Sequence, residues 1–331
     1  MPSFPDIGLS SYGRAWATFM DICATIDRTD QLVHQASEGI VEPGGGYVAA
    51  DISVSSVIEF IDAVSKLPKR ATSIHTFRGQ RNAEWIDNPG ILRQSSKMIS
   101  HEYSAVRDLQ SVHPQEFYQD LNMFDKLVRM QHYGLPTRLM DVSSNPLVAL
   151  FFATEPYRST KKDIDGRVVI YDVPKIRRKY FDSDSVSCVS NLANLTDEEK
   201  AELLENEKLD IDDFQRLPAC DRLIQFIRTE KAHFRPAIRP SDLSRAYYVT
   251  PKMQNNRIIA QHGAFIIFGL RIVRTQKSTE NHNAITRTLI DIPQAAKAPI
   301  RRELDTLGLN AGTLFPDLGH AASEIVRKYS Q

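Results

Sequence analysis

The densest concentration of residues able to do chemistry lies in MQHYGLPTRLMDVSSNPLVALFFA, residues 130–153, where an imidazole (His132), a guanidinium (Arg138) and a carboxylate (Asp141) are interleaved with Gly134 and Pro136. Glycine can take a positive φ and proline fixes its own, so the backbone from Tyr133 to Thr137 is expected to hold one shape and to aim the three side chains. A plainer reading stands beside this: Arg138 pairs with Asp141 three residues on, and Thr137 bonds the local backbone. A second candidate is Arg78 in Phe77-Arg78-Gly79-Gln80. A guanidinium fork matches phosphate geometry and stays charged when partly buried, and the following glycine lets a ligand or another backbone come close. The alternative is a buried arginine tying two layers together. A third cluster, NNRIIAQHGAFIIFG at residues 255–269, places Arg257, Gln261 and His262 just before Gly263 and an apolar run.

These groups need elements to carry them. TSIHTFRGQ alternates as a strand would, ending at Gly79 with Arg78 at its tip. A mainly helical stretch follows a polar loop and runs to Tyr133. PLVALFFA reads as a buried helix, with Asn145 as N-cap and Pro146 in its first turn. GRVVIYDV, YYV, AFIIFGL and TLIDI are β-branched or aromatic runs separated by unequal, partly helical connections, which predicts an α+β fold with a mixed or antiparallel sheet flanked by helices. Helical spacing at Ala15, Phe19, Ile22, Cys23 and Ile26, and again from Val54 through Val57, Ile58, Ile61 and Val64, predicts two helices ahead of the main fold. Between them Gly44, Gly45 and Gly46 lack the Lys-Ser/Thr of a P-loop and read as a turn. The expected organisation is an N-terminal helical segment over 1–50 and an α+β domain over 51–331, with an acidic helical insertion near 183–246. Thr196 and Glu199 form a capping box at the head of that acidic run.

Composition narrows the function. Forty-one basic residues balance 41 acidic ones in 331, with 42% hydrophobic and 25% charged residues, which disfavours disorder and general coating of nucleic acid. The basic stretch 158–179 is a local exception. Three cysteines (Cys23, Cys188, Cys220) without a CxxC pair fit neither a disulfide framework nor a zinc knuckle and point to a reducing, cytoplasmic setting. No basic-then-apolar leader opens the chain, and no apolar run reaches the length of a membrane span, so no membrane partner is expected. HExxH, GxSxG and GxGxxG are absent and the nine histidines are scattered, so no metal is expected.

FRGQ with Trp85, Leu92 and Arg93, then QHYGLPTRL with Asp141 and NPLVALFFA, then RIIAQHGAF, and finally LGL and LFPDL over 307–309 and 314–318, together resemble the FRG-domain family. The likeness runs over roughly residues 70–330. It departs at LMDVSS, where LLDWT is usual, which removes an aromatic side chain that would stack on a ligand. The resemblance implies a bacterial or phage setting linked to defence or toxin systems, without fixing the chemistry. A more distant similarity is to ADP-ribosyltransferases. Arg78 and Gly79 match the first strand of that superfamily, Thr137 and Arg138 its Ser/Thr-bearing strand, and residues 147–153 its helix. That similarity implies NAD as substrate: Arg78, Gly79, Gln80, Thr137 and His262 would bind it, and His132, Arg138, Asp141 and Gln261 would act on it. Gln261 and His262 stand where the superfamily has a glutamate, so Asp141 is the substitute acid. Related RNA 2′-phosphotransferases use arginine and histidine instead. The implied enzyme cleaves NAD or transfers ADP-ribose to a nucleic-acid or protein acceptor. Two alternatives remain: a non-catalytic module that binds a nucleotide, a nucleic-acid end or a protein, and a buried polar network that only specifies the fold.

Overall fold

The structure is a computed structural model that describes residues 52–68, 70–93, 97–159, 162–270 and 284–317, with single positions beyond. The helix expected around Ala15 and the glycine run at Gly44 lie outside the described residues. The chain divides into two units, and the larger, residues 49–157 and 163–331, holds the whole main sheet.

Eight strands make up that sheet: β1 (Ile52–Ser53), β2 (Ser73–Gln80), β3 (Leu139–Ser143), β4 (Gly166–Pro174), β5 (Arg178–Tyr180), β6 (Tyr247–Thr250), β7 (Gly263–Ile267) and β8 (Thr286–Ile292). Their order is β1-β8-β4-β2-β3-β7-β6-β5. Neighbours run antiparallel except at the two ends, where β1 pairs β8 and β5 pairs β6 in parallel. The helices, in chain order, are α1 (Val57–Ser65), α2 (Glu102–Val112), α3 (Met123–His132), α4 (Pro146–Ala153), α5 (Asp184–Asn191), α6 (Asp197–Glu205), α7 (Ile211–Phe214), α8 (Pro218–Glu230), α9 (Pro240–Leu243), α10 (Asn256–Ala260), α11 (Gln294–Thr306) and α12 (Ala311–Leu314). The molecule is thus the expected mixed sheet flanked by helices.

Both faces of the sheet are buried. Val168 and Ile170 of β4 pack with Val57, Phe60, Phe151 and Ile300 of the helices, whereas the alternating Val169 and Tyr171 join Met140, Val142, Ala264 and Ile266 on the other face. Alternate residues of a strand point to opposite faces, so a run such as RVVIYDV must be apolar throughout to fill both. A separate core lies over β3, β7 and β6, where Leu139, Phe265 and Val249 meet Leu127 and Met130 of α3 and Val189, Leu223 and Ile227 of α5 and α8. Two helical layers therefore cover the two halves of the sheet.

Those halves meet at β2 and β3, and there the ladder nearly fails. Phe77 opposite Ser143 is the one register pair between them, against eight between β2 and β4. Side chains complete the seam: the Thr76 hydroxyl donates to Ser143 O at 2.9 Å, and Arg78 Nη1 donates to Asp141 O at 2.7 Å. An exposed strand-edge carbonyl is thereby satisfied by a guanidinium instead of a neighbouring N–H.

Helix α4 is apolar all round because five of its eight residues are buried and the other three partly so, and Asn145 caps it as expected, its Oδ1 accepting from Leu147 N at 2.9 Å. It lies directly on the strands. A Cβ on Gly79 would sit 1.9 Å from Ala149 O, and one on Gly166 would sit 2.0 Å from Ala153 O. The backbone that Gly79 admits is therefore α4, which settles the choice left open between ligand and backbone. The capping box of Thr196 and Glu199 is present at the head of α6.

Candidate functional site

The seam opens into a cleft of about 260 Å³. Phe77, Arg78 and Gly79 of β2, Asp141 to Ser143 of β3, and Gly263 to Phe265 of β7 form its floor. Val128, Gln131 and His132 of α3 stand on one side, and Val148, Ala149 and Phe152 of α4 on another. Asn255, Arg257, Ile258 and Gln261, in and beside α10, close a third.

Each polar group has a local cause for its position. Helix α3 ends in a Schellman motif: Gly134, at φ 92°, gives its N–H to Gln131 O at 3.0 Å, and Leu135 N reaches Met130 O at 3.0 Å. Stopping the helix there leaves Gln131 and His132 on its last turn, at the rim. Gln131 Nε2 donates to Asp141 Oδ2 at 2.7 Å, while Gln131 Oε1 accepts from the Thr137 hydroxyl at 2.6 Å. Asp141 is the exposed residue of β3, between buried Met140 and Val142. Arg78 is half-buried, and its Nε is buried without a hydrogen-bond partner. His132 stands exposed at the rim, where partial desolvation, then the charges of Arg257 and Arg129, hold its imidazole below the ordinary range against the opposing pull of Asp141 and Asp317. The shift favours the neutral ring near pH 7. Arg257 sits 5.1 Å above the Phe315 ring.

Of the nine residues that the similarity to ADP-ribosyltransferases would have bind or act on NAD, five line the cleft: Arg78, Gly79, His132, Asp141 and Gln261. Gln80, Thr137, Arg138 and His262 do not. Arg138 does not pair with Asp141 either. It is 4% exposed, and its Nε donates to Glu102 Oε1 at 2.8 Å, its Nη2 to Glu102 Oε2 and its Nη1 to Phe268 O at 2.9 Å. Lys200 Nζ joins Glu102 at 2.9 Å. Burial works to raise the Glu102 carboxyl, but the charges and hydrogen bonds of Arg138 and Lys200 outweigh it and hold it low. This cluster ties α2, β3 and α6 together, so the role expected of Arg138 in catalysis gives way to a structural one. Thr137 is 2% exposed and Gln80 4%. His262 takes the left-handed conformation at φ 48°, and its carbonyl accepts from Ser144 N at 3.0 Å. Gln261 lines the cleft, but its Nε2 is engaged with Leu314 O at 3.0 Å, which holds α12 beside the wall.

Residues 73–162 match the family model of the FRG domain. The match takes in β2, α3, β3 and α4, and hence Arg78, His132, Thr137 and Asp141, and leaves Arg257, Gln261 and the α10 wall outside it. No curated protein and no solved structure matches the chain. The FRG segment thus supplies the seam and two of the walls.

Gln131 and Ser143 are cleft residues that pattern reasoning passed over. Gln131 sits three residues after Val128 on one helical face, a spacing that places both side chains toward the same neighbour, but an uncharged amide gives no chemical signal of its own. Cys188 and Cys220 are buried, and burial pushes both thiols up, Cys220 to about 12, so neither is a ready nucleophile. Among the described residues no three His, Cys, Asp or Glu side chains gather as a metal site, and no helix is long and apolar enough to cross a membrane.

Proposed function

We propose that the cleft binds a nucleotide, NAD in the first instance, and breaks the bond between its nicotinamide and ribose. One observation carries the reading: a guanidinium with an unpartnered buried Nε, bonded through Nη1 to the backbone carbonyl of Asp141, shares the cleft with the Asp141 carboxylate, which the Gln131 amide holds. Arg78 would bind the pyrophosphate, since a buried donor without a partner gains a charge-assisted hydrogen bond from an anion. As the C1′–N bond breaks, its electron pair leaves with nicotinamide and positive charge develops on the ribose. A carboxylate already in place stabilises that charge without reorganisation. Asp141 is the group so placed, and the neutral His132 accepts the proton lost by the attacking water or acceptor hydroxyl.

The cavity of about 260 Å³ lies just under the range of about 300–1,000 Å³ typical of small-molecule pockets. It suits the nicotinamide–ribose end, the remainder of the dinucleotide lying along the open rim near Arg257. The test is incubation of the purified chain with NAD, with and without nucleic acid or protein acceptors, following nicotinamide release and added mass. Release that Asp141→Asn lowers by about 100-fold or more supports the reading. No release and no nucleotide-dependent rise in thermal stability would refute it. A second reading, a module binding nucleic acid without chemistry, rests on the basic stretch at edge strand β5: Lys175, Ile176 (57% exposed) and Arg177 form the turn that leads into the strand, and Arg178 and Tyr180 (65% exposed) lie on it. Binding that weakens steeply with salt favours it.

A further inference from the structure

We infer that the C-terminal residues Leu314 and Phe315 build a second anion-binding position by holding Arg257 at the cleft wall, so that the cleft takes a ligand with two phosphoryl groups, one on Arg78 and one on Arg257. The inference rests on the nucleotide reading above for its site and not for its reaction. It starts from the charges that line the cleft: two guanidiniums, Arg78 and Arg257, against one carboxylate, Asp141. Arg78 gives one N–H to Asp141 O and keeps a buried Nε without a partner. Arg257 is exposed, and its guanidinium makes no hydrogen bond or ion pair among the described residues; it lies over the Phe315 ring, 5.1 Å from the centroid. Two cations on one cavity repel each other until an anion enters, and each presents a fork of donors that fits phosphoryl oxygens.

The far end of the chain supplies this position. Helix α11 closes in a Schellman motif: Gly308, at φ 79°, gives its N–H to Asp305 O at 2.9 Å, and Leu309 N reaches Leu304 O at 2.8 Å. The chain then enters α12, whose first turn is fixed by a capping box of Asn310 and Thr313, and Leu314 is buried in the core that holds α4. Phe315 stands edge-on to Phe152, a cleft residue, with ring centroids 5.9 Å apart at 87°. Gln261 Nε2, bonded to Leu314 O at 3.0 Å, ties the end of α10 to the same segment. Neighbouring residues of one segment therefore grip α10 near both of its ends, at Arg257 and at Gln261. The LGL and LFPDL motifs, which lie outside the FRG match, acquire a task in this way, and Phe315 is a positioning residue for Arg257. A long side chain already laid on an aromatic face gives up less freedom when it binds. The charge of Arg257 does reach the cleft: it is the largest of the charges acting on His132, ahead of Arg129, Asp141 and Asp317.

The experiment is calorimetry on the full chain with inorganic phosphate, inorganic pyrophosphate, AMP and ADP. Pyrophosphate and ADP should lose about tenfold or more in affinity with Arg78→Gln and likewise with Arg257→Gln, the scale of hydrogen bonds to a charged group. Phosphate and AMP, with one phosphoryl group, should respond to one of the two substitutions only. Phe315→Leu should weaken pyrophosphate about two- to fivefold, the range of an exposed cation–π contact; Phe315→Tyr should keep the parent affinity, and Phe315→Leu should add nothing in Arg257→Gln. A loss as large in that background as in the parent means that Phe315 acts through the fold and overturns its positioning role. Bound pyrophosphate should also raise the midpoint of the His132 imidazole, followed by NMR, by less in Arg257→Gln than in the parent. Pyrophosphate and ADP affinities unchanged by Arg257→Gln, or no binding of any of the four probes, overturn the two-anion cleft. Pyrophosphate held through both arginines by a chain that releases no nicotinamide from NAD supports the inference and refutes the reaction. Nicotinamide release whose KM and kcat are unchanged by Arg257→Gln does the reverse.

Discussion

Two arginines 60 residues apart in the chain, Arg78 and Arg138, should answer substitution in opposite ways. Arg138→Met removes three hydrogen bonds, two to Glu102 and one to Phe268 O, and leaves the Glu102 carboxylate, 2% exposed, with Lys200 as its remaining partner. Removing one member of a buried ion pair strands the other, at about 3–5 kcal/mol. That is a large part of the roughly 5–15 kcal/mol that holds a domain folded. Arg78→Met removes one hydrogen bond to a backbone carbonyl and also removes a buried Nε without a partner, so its net effect is about 1 kcal/mol or less. Urea unfolding measures both. At about 2 °C per kcal/mol for a chain of this size, the melting temperature should fall by about 6–10 °C for Arg138→Met and by about 2 °C or less for Arg78→Met. The pH dependence has a definite sign. Glu102 is held low in the folded protein, so its contribution to stability is present above its ordinary value of 4.5 and is lost as pH falls through the lower folded value. In Arg138→Met the difference from the parent should therefore narrow on acidification, because protonation neutralises the stranded group. Adding Glu102→Gln to Arg138→Met should recover part of the loss. Calorimetry with nucleotide completes the contrast: Arg78→Met folds but does not bind. An Arg138→Met protein with unchanged urea midpoint and abolished nucleotide turnover would refute the structural assignment.

Three further outcomes follow from the cleft. If His132 accepts the proton of the nucleophile, kcat/KM should rise with pH to a plateau through a midpoint below 6.5, since desolvation and the charges of Arg257 and Arg129 lower its imidazole; His132→Ala should remove that limb, and a rate flat between pH 5 and 8 in the parent would exclude the role. Gly79→Ala places a methyl 1.9 Å from Ala149 O and 2.7 Å from Ala153 N, so α4 must lift from β2, at about 1–3 kcal/mol or more by overpacking, and melting curves should record a drop although the added group is small. Gly134→Ala meets nothing within 4 Å but sits at φ 92°; backbone strain alone should cost about 1 kcal/mol, with the peptide bond beyond α3 shifting enough to loosen Gln131 from Asp141 in the amide spectrum.

Much of the fold was legible because the signals were local. The Asn145 cap, the Thr196–Glu199 box and the positive-φ glycine at 134 are short-range chemistry and appear where the residue types required them. The long apolar strands β4 and β8 were equally plain. Strand β3 has no signature in the residue pattern, and only the distant ADP-ribosyltransferase similarity points to a strand near Thr137 and Arg138: Leu139, Met140, Val142 and Ser143 are all buried, so the period-two contrast that betrays a half-buried strand is missing. Its partner in sequence, Arg138, was misplaced by the same short-range logic that succeeded elsewhere. Spacing of three suggested Asp141, but Arg138 precedes a strand, where residues three apart face opposite sides, and its acid, Glu102, comes from a helix 36 residues earlier.

The site itself depends on an event that no local pattern encodes, the parting of β2 and β3 after one register pair. On one flank, Gly79 lets α4 settle onto β2 so closely that no side chain can intervene; on the other, the Schellman turn ends α3 directly above β3. Two helical layers packed on the two halves of one sheet leave a gap between them where the halves part, and the floor of that gap is strand edge. A bare edge leaves backbone carbonyls without ladder partners. Arg78 and Thr76 provide donors to Asp141 O and Ser143 O, so the residue that stabilises the opening also brings a positive charge into it. The coincidence of FRG, QHYGLPTRL and Asp141 in one sequence segment then has a mechanical explanation. Gly79 sets how close the helix lies, Arg78 holds the seam, and Thr137 and Gln131 orient the acid that the seam exposes.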